Sequence, residues 1–208
     1  MFFKKNDSGA AASEKKKEAP KYTWQQNVAL YLHDIVYMLV AVMVLLMLFF
    51  RVIVVDGPSM ERTLLNGDYM FLVSNLFYRE PQYGDVVVVS KQAYDNGKPI
   101  VKRVIATEGQ TVDIDFSSGS VYVDGMLLKE DYINELTFTE EGTPFPLTVP
   151  EGSIFVMGDN RNHSNDSRDS RLGTVDTRFV IGKAVFLAFP GPDIVTEERE
   201  YSRIGVIA

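Results

Sequence analysis

One serine and one lysine carry the reactive potential of this 208-residue chain. Ser59 stands in Asp56-Gly57-Pro58-Ser59-Met60. Lys102 stands in Pro99-Ile100-Val101-Lys102-Arg103-Val104-Ile105-Ala106, an apolar, β-branched run that suits burial of an amine better than its solvation. A hydroxyl beside a desolvated, neutral amine is a nucleophile with its general base, and such a pair makes a hydrolase that needs no histidine. Each residue also has an ordinary reading. Ser59 after Pro58 can N-cap a short helical turn, and a strand lysine usually keeps its head in water and its stem on apolar surface. A third segment tips the balance. In Gly158-Asp159-Asn160-Arg161-Asn162-His163-Ser164-Asn165-Asp166-Ser167-Arg168, small, hydroxyl and paired charged residues crowd directly behind the apolar run Ile154-Phe155-Val156-Met157. As an ordinary loop it would hold surface ion pairs, which stabilise little.

Composition removes competing chemistries. With no cysteine there is no disulfide framework, no thiolate nucleophile and no thiolate zinc site. The two histidines are His33, at the start of an apolar run, and His163, in a distant loop. They do not make a multi-histidine metal site, and a triad built on His163 is the only histidine-based alternative. The chemistry calls for no cofactor and no metal.

The chain that must position these residues divides into three parts. Residues 1–21 are rich in Lys, Ala, Ser and Glu without apolar periodicity, the composition of a disordered tail. Six lysines against three acidic residues give the tail +3, so the whole-chain charge of −7 leaves −10 elsewhere. That balance argues against nucleic acid as a partner and, by the positive-inside rule, puts the tail in the cytoplasm. Residues 22–51 contain an apolar run, unbroken from Ile35 to Phe50 and extending back to Val28, that reaches the ~20 residues of a spanning helix. Trp24, Tyr31 and Tyr37 suit one interface and Arg51 the other. A cleavable signal would have a shorter core and a small-x-small site after it, where this chain has Arg51-Val52-Ile53-Val54-Val55. A buried helix of a soluble protein would be shorter and carry more charge. The expectation is a single-pass anchor in the cell membrane, lipid bilayer around it, with residues 52–208 outside the cytoplasm as one domain of about 155 residues.

That domain reads as mainly β. Residues 52–55, 69–73, 86–89, 100–106, 112–116 and 153–157 are short β-branched or aromatic runs punctuated by Gly67-Asp68, Gly84-Asp85 and Gly109. Val121-Tyr122-Val123-Asp124-Gly125-Met126-Leu127-Leu128 carries Asp-Gly between alternating apolar residues, a strong hairpin signal. Residues 131–150, with Pro144, Pro146 and Pro150, read as irregular or edge structure. No repeat and no further helix pattern appear, so the fold class is an N-terminal transmembrane helix followed by a compact antiparallel β-sheet catalytic domain.

In order and behind an N-terminal anchor, these segments resemble the bacterial type I signal peptidases, the serine-lysine leader peptidases. Gly57-Pro58-Ser59-Met60 with Thr63-Leu64 is similar to the family's serine segment, Lys102-Arg103 to its lysine segment, and residues 158–168 to its glycine-aspartate-asparagine segment. Gly67-Asp68-Tyr69 and Tyr83-Gly84-Asp85-Val86-Val87 resemble its intervening strands. The resemblance extends from the anchor to about Phe189. It implies Ser59 as nucleophile, Lys102 as general base, Ser164 as the hydroxyl that orients the lysine, and Asp166 with Arg168 as an ion pair bracing the loop. Some members carry a serine hydroxyl two residues before the nucleophile, where this chain has Gly57. The oxyanion donors are then the Ser59 N–H and a water or the Gly57 backbone. Gly158 belongs to the same motif, Asp159 and Asn160 are read as turn formers, and Asp169, Arg171, Asp176 and Arg178 as a solvated face. The implied substrates are secretory preproteins emerging from the membrane, with small residues one and three positions before the cut. An extended peptide would lie between residues 52–57 and 99–101. The short stretch between Ala106 and Glu151 implies a compact member without a large inserted domain. Two alternatives remain: a serine-lysine protease that cuts itself or one dedicated partner, and an inactive anchored β domain that binds exported chains.

Overall fold

The computed structural model describes residues 23–193 and 196–207 of the chain. The tail over residues 1–21 lies outside them. The described residues form two compact units, divided between Met43 and Val44.

Helix α1 (Trp24–Phe49) opens on a reciprocal cap. Thr23 N–H donates to Gln26 Oε1 at 2.9 Å and Gln26 N–H to Thr23 Oγ1 at 3.3 Å, satisfying two of the amides left orphaned at a helix start. None of its residues is buried, and its 26 residues are long and apolar enough to cross a membrane by length and composition. The helix stops at Phe49. Phe50 and Arg51, expected inside the anchor, open a strand instead, because Val52-Ile53-Val54 favours extended backbone and finds a pairing partner.

The second unit is built of antiparallel strands: β1 (Phe50–Val54), β2 (Tyr69–Ser74), β3 (Val86–Val89), β4 (Ile100–Thr107), β5 (Thr111–Asp115), β6 (Ser120–Val123), β7 (Met126–Leu127), β8 (Leu147–Thr148), β9 (Ser153–Met157), β10 (Val175–Asp176), β11 (Val180–Phe189) and β12 (Gly205–Val206). The larger sheet runs β1-β2-β11-β3-β4-β9-β10, with β12 also on β11, and the smaller runs β7-β6-β5-β8. β3 is buried on both faces: Val86 and Val88 join a cluster with Met60, Leu64, Met70 and Leu72, whereas Val87 and Val89 join Val104, Ile154, Val156 and Val175. The smaller sheet packs Val112, Ile114, Val121 and Val123 with Ile105, Phe155 and Met157 of β4 and β9.

The strand runs read from the sequence are strands here, and the Asp124-Gly125 turn joins β6 to β7 with φ of +51° and +75°. Residues 131–150 contribute only β8 and one bridge, Gly142 to Asp169. The sequence reading lacks β11, the longest strand and the one that joins β2 to β3. Its apolar run is interrupted by Gly182-Lys183, which disguises it. A Cβ on Gly182 would come within 2.3 Å of Val73 O, so glycine is what lets β11 approach β2. Lys183 in turn pairs with Asp85 at 2.5 Å.

Candidate active site

Ser59 sits in a turn just after β1. Glu61 N–H bonds Pro58 O at 3.0 Å and Leu64 N–H bonds Met60 O at 2.8 Å, while Met60 and Leu64, both fully buried, anchor the turn in the core. Gly57 takes φ +102°, open to glycine at little cost, and its N–H donates to Asn66 Oδ1 at 2.9 Å. The Gly57 N–H is thus engaged by Asn66 in this structure. Among the described residues no acceptor holds the Ser59 N–H.

Lys102 lies on β4 opposite Val87 and is 3% exposed. Its Nζ is 2.6 Å from Ser59 Oγ. The two ordinary readings fail on this contact: the hydroxyl is engaged by the amine rather than by a helix terminus, and the lysine head is inside rather than in water. Burial pushes Lys102 down from 10.5 to about 8, against the opposing pull of Asp166 and Glu141. About one lysine in ten is then neutral at pH 7, against one in a few thousand for a free side chain. With the amine neutral, the hydroxyl donates and Nζ accepts.

Residues 158–168 hold the two partners together. Asn160 N–H donates to Ser59 O at 3.0 Å, and Asn160 Nδ2 reaches Pro58 O and Glu61 Oε2, each at 3.1 Å. Asp159 accepts Thr63 Oγ1–H at 2.5 Å and two bonds from Arg103, at 2.9 and 2.8 Å. Asp159 and Asn160 thus do more than form a turn: they tie the serine turn to β4, next to the lysine. A Cβ on Gly158 would lie 2.2 Å from Ser164 Oγ and 2.4 Å from Ser59 O, so only glycine permits that approach. The Ser164 hydroxyl donates to Asp166 Oδ2 at 2.8 Å, the hydrogen bond it makes among the described residues. Asp166 also accepts Gly158 N–H at 2.9 Å and a two-pronged bond from Arg168, both prongs 2.9 Å, with Asp166 and Arg168 wholly buried.

Three buried arginines frame this region, each with a carboxylate: Arg103 with Asp159, Arg161 with Glu130, and Arg168 with Asp166. Sequence reasoning gave no role to Arg103, Arg161, Glu130 or Thr63, although Arg103 beside Lys102 in an apolar run was a signal of burial. His163 is exposed, with Nε2 4.0 Å from Glu135 Oε1, and bonds neither Ser59 nor Lys102. Among the described residues no cluster of metal-ligating side chains occurs.

A cleft of about 200 Å³ leads to the pair, walled by Ile53, Val54 and Val55 on one side and Pro99, Ile100 and Val101 on the other. Asp56 and Lys98, 2.7 Å apart, join the walls. β1 is the edge of the larger sheet, and β4 pairs with β9 only from Arg103 onward, so both walls offer unpaired backbone. Such edges accept an extended peptide by main-chain hydrogen bonds.

Residues 28–189 match the family model described as signal peptidase, peptidase S26. A probable signal peptidase I-1 of Synechocystis sp. (strain ATCC 27184 / PCC 6803 / Kazusa) is 40% identical over 143 residues, 65% of this chain and 69% of that protein. A signal peptidase I of Bacillus licheniformis is 35% identical over 153 residues, 70% of this chain and 80% of that one. A solved signal peptidase I from Enterococcus faecalis V583 is 35% identical, with a TM-score of 0.41 over 50% of this chain and 96% of that one. With a serine turn, a buried lysine and an apolar cleft on antiparallel sheets, and with most of its length matched, this chain belongs to the signal peptidase family, peptidase S26.

Proposed function

We propose that this chain is a membrane-anchored serine endopeptidase that releases signal peptides from secretory preproteins, with Ser59 as nucleophile and Lys102 as general base. The observation that carries the reading is the 2.6 Å separation of Lys102 Nζ and Ser59 Oγ at the end of an apolar cleft. A precursor peptide adds between β1 and the start of β4, with small side chains fitting the shallow cleft. Neutral Lys102 takes the Ser59 proton as Oγ attacks the scissile carbonyl, and the Ser59 N–H meets the oxyanion. The tetrahedral intermediate collapses to an acyl-serine as Lys102 returns the proton to the leaving amine. Water, deprotonated by the same amine, then releases the acyl group. Helix α1 anchors the enzyme, and the basic tail orients it with residues 52–208 outside the cytoplasm. Only nine residues separate Phe49 from Ser59, which suits substrates still engaged with the membrane.

Full-length protein in detergent, assayed on a precursor peptide, tests the reading. Ser59→Ala and Lys102→Met each lower turnover by on the order of 10⁴-fold or more, as removal of one member of a nucleophile–base unit does, and both still bind the peptide. In the wild type, kcat/KM rises with pH through about 8, where Lys102 loses its proton. Near-normal turnover in Lys102→Met would end the serine-lysine mechanism. Unrelated precursors distinguish a general from a dedicated peptidase.

A further inference from the structure

Residues 137–143 run alongside residues 161–170 and are tied to them at almost every step. Arg161 Nη1 donates to Thr137 Oγ1 at 3.1 Å, the Phe138 and Thr139 N–H groups donate to Asn162 Oδ1 at 2.9 and 3.0 Å, and Arg168 Nη1 donates to Thr139 O at 3.1 Å. Thr143 N–H then closes on Arg168 O at 2.9 Å, beside the Gly142–Asp169 bridge. Within this strap lies Glu141, its side chain 14% exposed, with Oε1 3.4 Å from Arg168 Nη2 and Oε2 accepting the Asp166 N–H at 3.4 Å.

The charges that act on Lys102 include three carboxylates, Asp166, Glu141 and Asp159, and the Arg168 guanidinium. Asp159 is matched by Arg103 through two short bonds, and Asp166 by Arg168 in the same way. Glu141 shares Arg168 only at its longer contact. We propose that Glu141 is a positioning residue for the Ser59–Lys102 pair: it braces Arg168 against Asp166 and, as the carboxylate of this cluster without an arginine of its own, sets how firmly Lys102 holds its proton. The inference rests on the serine-lysine reading above.

The remaining groups around Glu141 fit that role. Burial first, then the Asp166 charge, push Glu141 up to about 7 against the pull of Arg168, with Asp169 adding repulsion and Tyr94 and Arg171 also within its field. Glu141 therefore ionises just before Lys102 sheds its proton, and its new charge favours the ammonium. The carboxylate restrains the base.

The test is the pH profile of kcat/KM for Glu141→Gln in the full-length protein. Its basic-group limb moves down by roughly half to one unit, which raises kcat/KM near pH 7.5 about two- to threefold, and the gain vanishes near pH 6, where Glu141 is already protonated. A merely structural loss would lower the rate at every pH without moving the limb. A folded Glu141→Gln whose profile overlays the wild type overturns the proposal. If the Gln variant is too unstable to assay, Glu141→Asp, which withdraws the carboxylate by one methylene, moves the limb in the same direction by less; an unmoved limb is again fatal. Lys102→Met assayed alongside keeps the two failures apart, since activity there removes the serine-lysine reading itself, whereas its inactivity with an unmoved Glu141→Gln limb removes only this inference.

Discussion

Asp166-Ser167-Arg168 and Asp176-Thr177-Arg178 are the most buried and the most exposed copies of one motif, which Asp169-Ser170-Arg171 also forms. In the first two, the aspartate Oδ1 accepts the arginine N–H, at 3.2 and 2.8 Å, and the guanidinium returns to grip both carboxylate oxygens. The local clamp is the same because the Asp-x-Arg spacing dictates it. Burial is not. Arg168 and Asp166 side chains are both 0% exposed, against 84% and 29% for Arg178 and Asp176. Arg168 also donates to Thr139 O and Arg161 O, and Asp166 accepts from Gly158 N–H and the Ser164 hydroxyl. Arg178 bonds Asp176 alone among the described residues. The difference teaches that an ion pair organises a site when its surplus donors and acceptors are used by distant segments, and that sequence spacing does not reveal which pair is so used.

The sharpest break between the two is removal of the arginine at the buried one. Arg168→Ala strands Asp166 and Glu141 without their cation in a region closed to water, and loss of one partner from a buried pair costs about 3–5 kcal/mol. Urea unfolding is the measurement. On the proposed mechanism turnover falls as well, because, beside burial, Arg168 is the charge that lowers the proton affinity of Lys102 against the three carboxylates. A loss under 1 kcal/mol would mean that water replaces the guanidinium and that burial is not what separates the two motifs.

Lys102 supplies the opposite case, a buried cation with no carboxylate hydrogen-bonded to it among the described residues. Its proton is lost at about 8 in the folded chain and at the ordinary lysine value of 10.5 when exposed. Between these values the unfolded chain binds the extra proton, so this group makes stability rise with pH across that window. Below about 8 both states are protonated and the fold carries the whole penalty, up to about 3 kcal/mol. Lys102→Met, inactive on the proposed mechanism, is therefore expected to be more stable than the wild type at pH 7, by an amount that shrinks as pH approaches 10.5. Denaturant titrations at pH 7 and 10 measure it. A less stable variant at pH 7 would show that the surrounding carboxylates outweigh desolvation.

What the sequence discloses follows the same division. Local patterns were legible: the alternation around the Asp124-Gly125 turn and the β-branched runs of β3 and β4 need only near neighbours, and they are strands and a turn. Ser59 and Lys102 were legible as a pair through motif order rather than through any local rule. β11 was not, because Gly182 answers to a carbonyl on β2 and Lys183 to Asp85, and neither partner is visible from within the strand. Asp159, Asn160 and Arg103 were under-read for the same reason: their partners Thr63, Ser59 and Gly84 stand far away in the chain.

The smallest effect is expected at the exposed copy of the motif. Arg178 holds Asp176 down to about 2 through its hydrogen bonds, the backbone N–H included, so the pair is well formed in geometry. Geometry is not stability at such a site. Both partners face solvent, which solvates each charge nearly as well once they part, and physiological salt screens what attraction remains. Arg178→Ala should leave the melting temperature and kcat/KM at wild-type values, and Asp176 would still accept the residue-178 N–H that shapes the turn before β11. The wild-type melt should likewise be indifferent to Arg178 whether salt is low or near 1 M. A fall comparable with that of Arg168→Ala would dissolve the comparison, since the shared Asp-x-Arg clamp rather than its burial would then account for the stability of both loops.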